Sequence, residues 1–354
     1  MSPDRNGTRR RPPVAGAVTL SDVARAAGVS LATASRAING SANRAVGGEL
    51  RERVLATAER LGYSPNAHAQ AMARGQTATL GLIVHDIADP YFSAIAAGVT
   101  DAADAADLIV TLANTHHDAD RELQYVRTLQ NQRARAIILV GARQNDGEAN
   151  LRLRRALDAY QARGGTVAMV SQAILGVNVL RVDNERAGAD LARALHDIGY
   201  RRFAVLTGPT ENLTAHERSR GFLAAAEELG CPVPDERLVP SPLTRDGGHE
   251  AMRELLARRT GADLVFAVTD VMALGALTAA REAGVSVPDD LGLAGFDDID
   301  TLQDVTPALS TVRIPLREMG REVTRLALAP AEDGPLEEHV TGQVVLRAST
   351  PPRS

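Results

Sequence analysis

Residues 18–40, "VTLSDVARAAGVSLATASRAING", decide how the rest of the chain is read. Thr19 and Asp22 stand three apart, the spacing at which a hydroxyl caps a helix start and a carboxylate reaches back to the cap residue. A helix begun there runs to Ala27 and stops at Gly28. Ser30 is then placed to cap a second helix through about Ile38, which "NGS" ends. Ala24, Ala27, Val29, Ala34 and Ile38 form a small shared core, because small side chains let two helices cross closely. Two short helices with a glycine in their turn make a helix-turn-helix.

In that motif the N-terminal part of the second helix enters the DNA major groove. Leu31, Ala32, Ser35 and Arg36 face outward on it. Arg36 can bridge guanine O6 and N7, whereas Leu31 and Ala32 can touch only thymine methyls or the sugar edge. A plain two-helix corner of an all-α core is the structural alternative, and an exposed Leu31 beside Arg36 fits it poorly. A third helix over about Gly48 to Leu61, with Leu50, Val54, Ala58 and Leu61 at helical spacing, closes the head. Gly47 offers its start no hydroxyl cap.

Charge supports the division. Residues 1–75 hold eleven Arg against five acidic residues, while the remainder is acidic enough to bring the 354-residue chain to a net −5, with no lysine anywhere. A basic head on an acidic body suits a nucleic-acid-binding module joined to a separately folding domain. "RRRPP" alone would be a solvated tail, but the excess continues through Arg25, Arg36, Arg44, Arg51, Arg53, Arg60 and Arg74. The opening "MSPDRNGTRRRPPVAG" lacks the apolar core of a signal peptide and no run is long enough to span a bilayer, so a cytoplasmic protein with no membrane partner is expected. Cys231 is the single cysteine, which excludes an intramolecular disulfide framework and reads as an inert thiol. After Pro65, residues 66–74 can form a helix but have almost nothing to bury. Met72 could wedge into a minor groove; a flexible linker fits the spacing equally well.

From Thr79 onward apolar runs alternate with amphipathic helices. "TLGLIV", "LIVTLAN", "AIILVG", "TVAMVS" and "VLRV" read as buried strands, followed by a second series, "RFAVLTG", "DLVFAVTD" and "LGLAGF". Such alternation argues for parallel sheets covered on both faces. The expected fold is an all-α helix-turn-helix head plus an α/β body of two doubly wound parallel-sheet subdomains. A small molecule would sit between them, beyond the carboxyl ends of the strands. Asp86, Asp89 and Phe92 follow the first strand; Ser171, Thr269, Asp270 and Asp297 end later ones, and Arg218 lies in "ERSRGF". An Arg and an Asp converging from two elements suit vicinal hydroxyls or a carboxylate, although each alone could be a cap or a surface ion pair. "THHD" at 115–118 reads as a loop entering a helix rather than a metal site, since adjacent histidines do not face one way. No Walker loop, G-x-S-x-G, H-E-x-x-H or dinucleotide G-x-G-x-x-G occurs, so neither an enzyme nor a bound cofactor is expected.

"VTLSDVARAAGVSLATASRAING", "LGYSPNAHAQAMARG", "TLGLIVHDIADPYFSAIAAGV", "VDNERAGADLARALHDIGYRRFAVLTGP", "GLAGFDDID" and "TPALSTVRIPLREMG" occur in the order found in the lactose-repressor (LacI/GalR-type) family of bacterial transcription regulators, which the chain resembles over nearly its whole length after the tail. The resemblance implies a body of periplasmic-binding-protein type. It also implies a homodimer on a pseudo-palindromic double-stranded operator, most simply as a repressor, under control of a small-molecule effector of sugar-like class. The DNA-contacting residues expected are Thr19, Ser30, Leu31, Ala32, Thr33, Ser35, Arg36 and Asn39 in the head. In the hinge they are Asn66, Ala69 and Met72, with Met72 where the family usually has a leucine lever. The effector residues expected are Asp89, Phe92, Ser171, Arg218, Thr269, Asp270 and Asp297. Ser171 and Thr269 stand where many sugar-responsive members have Asp and Asn, and no tryptophan is available to stack on a sugar face. "SANRAVGGEL" departs from the usual turn. The organisation expected is a basic tail at 1–17, a reading domain at 18–64, a hinge at 65–76 and an effector and dimerisation domain at 77–354. Within the last, the N-subdomain covers about 77–178 plus a return at about 310–330, and the C-subdomain about 179–309 plus the C-terminal strand. A solute-binding protein would need a signal peptide and no reading head; activation or corepression remain alternatives within the family.

Overall fold

Thr19 starts the first helix by the reciprocal pairing its spacing predicts. The Asp22 amide donates to Thr19 Oγ1 at 3.3 Å and the Thr19 amide to Asp22 Oδ2 at 3.0 Å. The resulting α1 (Leu20–Ala27) stops at Gly28, whose φ of 68° is open to glycine at no steric cost. Ser30 Oγ accepts the Thr33 amide at 3.1 Å at the start of α2 (Leu31–Asn39). The third helix, α3 (Gly48–Arg60), begins at Gly47 with no side-chain cap. Val23, Ala24, Ala27, Ala34, Ala37, Val54 and Ala58 are buried between them, with Val29 and Ile38 only packed against that core. The computed structural model describes residues 18–39, 46–63, 77–329 and 334–353, and the chain divides into two compact units, 1–77 and 78–354. The expected tail at 1–17 and hinge at 65–76, with Asn66, Ala69 and Met72, lie outside the described residues.

The second unit alternates as its apolar runs do. It passes through β1 (Thr79–Val84), α4 (Pro90–Ala105), β2 (Ile109–Asn114), α5 (Ala119–Asn131), β3 (Ala136–Val140), α6 (Gly147–Gln161), β4 (Thr166–Val170) and β5 (Asn178–Val182). A second series follows: α7 (Asn184–Asp197), β6 (Phe203–Thr207), α8 (Leu213–Glu228), β7 (Leu238–Pro240), α9 (Arg245–Arg258), β8 (Leu264–Ala267), α10 (Asp270–Glu282) and β9 (Gly292–Ala294). The chain ends with β10 (Thr311–Arg313), α11 (Leu316–Leu328), β11 (Glu337–Val340) and β12 (Gln343–Val345). Among the described residues the first sheet has the order β11-β5-β4-β3-β1-β2 and the second β7-β6-β8-β9, with parallel pairing throughout both.

Topology corrects the expected subdomain boundaries. β5 pairs with β4, so the crossover into the second subdomain falls after Val182 rather than at 178. The return segment begins later than 310, because β10 pairs with β12 and Ser310 bridges to Ala294 of the second sheet. β11 goes back to the first sheet against β5. Pairing across such sequence distances leaves no local periodic trace, which is why the pattern misplaced these pieces. β2, expected to be buried, is the edge of its sheet, with Ile109 73% and Leu112 44% exposed.

The returning α11 is fixed to α4 by backbone contact. A Cβ added at Gly98 would lie 1.9 Å from the Arg317 carbonyl oxygen, and one at Gly320 2.1 Å from that of Ile95. Neither carbonyl can move without its helix. Gly98→Ala should therefore cost about 1–3 kcal/mol of stability as overpacking, read as a lower urea midpoint at unchanged slope.

Candidate functional site

Two surfaces carry the residues singled out in the sequence. On α2, Leu31 is 52% exposed and Ala32 is exposed. Thr33, Ser35 and Arg36 are half-buried beside them. Arg36 Nε donates to the Ala32 carbonyl at 3.1 Å, which lays the guanidinium along the same face. Thr19 and Ser30 are exposed, but their hydroxyls also serve the caps, Thr19 with Asp22 Oδ2 at 2.7 Å and Ser30 with Thr33 Oγ1 at 2.8 Å. Asn39 is the last residue of α2.

The second surface is a cleft at the carboxyl ends of the strands, with about 500 Å³ of space that opens to solvent. From the first subdomain it is lined by His85, Asp89, Tyr91 and Phe92, which follow β1, by His117, and by Gly141 and Ala142 after β3. Asp89 caps α4, with Oδ1 accepting the Tyr91 amide at 2.9 Å. Phe92 meets the His85 ring at 5.7 Å and Tyr91 edge-on at 5.0 Å; His85 and His117 lie 4.5 Å apart. His117 reaches this wall because the "THHD" loop turns through positive φ at both histidines. From the second subdomain come Asn212, Thr214, Arg218, Leu243, Thr269 and Asp297. Asn212 caps α8 and Thr269 caps α10.

Arg218 is the centre of this side. Its Nη2 donates to Asp297 Oδ1 at 2.8 Å, Nη1 to the Val268 carbonyl at 2.8 Å and Nε to Asn184 Oδ1 at 3.0 Å, and its Cζ lies 3.9 Å from the centroid of the Phe296 ring. Three of five donors are used, so the fork retains two. Asp89 and Asp297 supply acceptors close by. Burial pushes the Asp297 carboxyl up to about 7 against the opposing pull of Arg218, and raises Asp89 and the Tyr91 phenol as well. Burial drives His85 well below the ordinary imidazole range, helped by His117 and Arg143, and lowers His117 too. The wall is thus neutral imidazole beside aromatic rings, facing an Arg–Asp clamp. That combination is chemically suited to adjacent hydroxyls, with the carboxyl groups offering acceptors, the guanidinium donors and the rings an apolar face.

The cavity brings together Asp89, Phe92, Arg218, Thr269 and Asp297, and leaves out two expected residues. Ser171 does not line it, because its hydroxyl is turned to the Gly141 carbonyl at 2.6 Å. Asp270, wholly buried, points into the second subdomain, where its carboxylate accepts the Thr311 hydroxyl at 2.8 Å and the Ile299 amide at 3.0 Å. Asp270 is a structural acceptor that ties the start of α10 to β10. His85, Tyr91, His117, Asn212, Thr214 and Leu243 were missed. Tyr91, next to a candidate residue, and His85, directly after β1, were within reach of the same reasoning; Leu243 carried no signal.

The Asp297 carboxyl sets a pH signature. Its folded value lies above the unfolded 3.8, so the fold holds this proton more tightly. The stability it contributes is full below about pH 4 and is lost as pH rises through about 7. Urea unfolding of the wild type and of Asp297→Asn across that window should show the wild type losing stability relative to the variant as pH rises. The opposite slope would mean that the pull of Arg218 outweighs burial.

Comparison with known proteins gives a consistent picture. The family profile described as "Bacterial regulatory proteins, lacI family" matches residues 19–66, and that described as "Periplasmic binding protein-like domain" matches residues 192–350. The chain is 31% identical over 312 residues to the HTH-type transcriptional regulator DegA of Bacillus subtilis (strain 168), covering 87% of this chain and 90% of that protein. It is 33% identical over 322 residues to the HTH-type transcriptional regulator GalR of Escherichia coli (strain K12), covering 90% and 91%. Among solved structures, a complex of the transcriptional regulator CelR with cellobiose is similar at a TM-score of 0.67 and 28% identity, covering 94% of this chain and 99% of that one.

Proposed function

Because the chain belongs to the lacI family of bacterial regulatory proteins, and is a DNA-binding transcriptional regulator rather than an enzyme, we propose that it is a cytoplasmic repressor released or engaged by a neutral, polyhydroxylated effector held in the cleft. The observation that carries this reading is the pairing, in one chain, of an exposed Leu31–Arg36 face on α2 with an Arg218–Asp297 clamp in a lined cavity. The clamp and Asp89 suit adjacent hydroxyls, the neutral imidazole and Phe92 wall suits the less polar face of a sugar, and the related CelR is found with cellobiose. Asp89, Phe92, Arg218, Thr269 and Asp297 are the proposed effector contacts. Ser171 and Asp270 are not among them.

In the head, Arg36 reads guanine, and Leu31 and Ala32 meet apolar base edges, with Thr19, Ser30, Thr33, Ser35 and Asn39 the proposed contacts to the backbone and flanking positions. One such head contacts too little DNA for useful specificity, so two act together on a pseudo-palindrome as a homodimer. The exposed apolar edge strand β2, with Ile109 and Leu112, offers a surface for the second copy. None of the helices among the described residues is long and apolar enough to cross a membrane.

Affinity selection of genomic fragments on the purified protein at near-physiological salt tests the reading. A short pseudo-palindrome should be enriched. Retention without sequence preference, weakening uniformly with salt, would overturn it. On the selected site, Arg36→Ala should lose about 1–3 kcal/mol of discrimination at one guanine per half-site. Competition between matched and substituted duplexes measures that loss.

A further inference from the structure

A chain of buried and half-buried polar side chains runs from Arg218 across the cleft into the first subdomain. Arg218 Nε donates to Asn184 Oδ1 at 3.0 Å, and Asn184 Nδ2 donates to Glu217 Oε2 at 2.9 Å. The same Glu217 oxygen accepts Gln172 Nε2 at 3.3 Å, and Thr214 Oγ1 accepts it at 3.0 Å. Gln172 follows β4, so this amide spans the two subdomains. Its Oε1 accepts the Arg143 backbone amide at 3.0 Å and the Ser171 hydroxyl at 3.2 Å. A backbone N–H on one side and a carboxylate on the other fix which way the amide faces. Arg143 is in turn held by a two-pronged pair with Glu122, at 2.8 and 2.6 Å. Gln172, Asn184, Arg143 and Glu122 are all buried, so each depends on its partners rather than on water.

Beside this chain the backbone itself bridges the cleft. The Asn145 amide donates to the Glu211 carbonyl at 2.8 Å, the Leu213 amide donates to the Arg143 carbonyl at 3.0 Å, and Gln144 pairs antiparallel with Asn212. Arg143 thus belongs to both devices, its amide bonded to Gln172 and its carbonyl to Leu213.

We propose that Gln172 is the positioning residue that couples ligand seating to cleft closure. Its amide clasps α8 through Thr214 and Glu217 and, through Glu217 and Asn184, orients the guanidinium that receives the ligand. The inference rests on the cleft being the effector site, as proposed above, while every contact of the clasp is made within this chain. Loss of the clasp raises the open population, and a ligand that prefers the closed form then binds more weakly by the lost closed fraction. By linkage, DNA affinity shifts in the sense opposite to the effector's own action.

Hydrogen exchange of the full-length protein, with neither DNA nor ligand, tests the clasp separately from the regulatory reading. In Gln172→Leu the Asn145 and Leu213 amides should exchange at least about tenfold faster, while amides inside β3 and β8 keep their protection. Thr214→Val, which removes one acceptor and little volume, should give a smaller loss at the same two amides and serves alone if the first variant does not fold. The double variant should match Gln172→Leu rather than the sum of the two. Asn184→Ala, cutting the chain between Glu217 and Arg218, should also loosen the two cross-cleft amides. Unchanged protection of both amides in these variants, or a loss spread equally over β3 and β8, would overturn the assignment. A failed DNA selection would leave the exchange result standing, and a null exchange result would leave the DNA-binding reading standing.

Discussion

A guanidinium only 3% exposed within an α/β body must be answered by acceptors on every side, and the arrangement around Arg218 follows from that requirement. Removing one partner of such a buried pair typically costs about 3–5 kcal/mol, because the remaining charge is stranded in a medium that solvates it poorly. The acceptors come from segments far apart in sequence: Asn184 at the start of α7, the carbonyl of Val268 after β8, and Asp297 after β9. Meeting the charge therefore gathers the strand ends of the second subdomain around one point. Phe296 covers the planar face of the cation and completes the enclosure.

The two units meet opposite demands. The body buries large aliphatic and aromatic side chains in sheets covered by helices. The head has a core made largely of alanine and valine, and its stability leans on caps and a glycine turn instead. The lean core lets α2 leave Leu31 exposed beside Ala32 and Arg36. Division of labour between recognition and control is therefore written in composition before any contact is drawn.

How much of this was readable from sequence depended on whether the deciding interaction was local. The head's helices were placed nearly to the residue, since Thr19, Asp22, Gly28 and Ser30 act within three or four positions. Asp89, Phe92, Arg218, Thr269 and Asp297 followed from strand ends and the family resemblance. Asp270 and Asp297 look alike at that level, each following an apolar strand. They separate only in space: Asp270 opens a helix and turns inward to Thr311, whereas Asp297 has a φ of 123°, followed by Asp298 at 60°. His117 lay in a stretch weighed for metal binding, and its actual place beside His85 depends on a positive-φ turn that no periodicity announces. Gln172 was invisible as a lone polar residue, because its meaning lies in partners more than forty positions away. The order β11-β5 was equally hidden.

The late return of the chain also orders events in time. Synthesis delivers the head first, and its contacts close within the first 63 residues. The first subdomain cannot finish when its own consecutive strands have emerged, because α11 must dock on α4 and β11 must complete the sheet edge on β5. Both arrive near the carboxyl terminus, after β6 to β10 have been made and shortly before β12, Ser349 and Arg353 complete the second subdomain. A nascent chain thus carries a folded head while its body is still open, with β5 an unpaired edge awaiting its last partner. Crowded polysomes are where that edge is at risk, and the exposed interval lasts as long as the ribosome takes to translate the second subdomain.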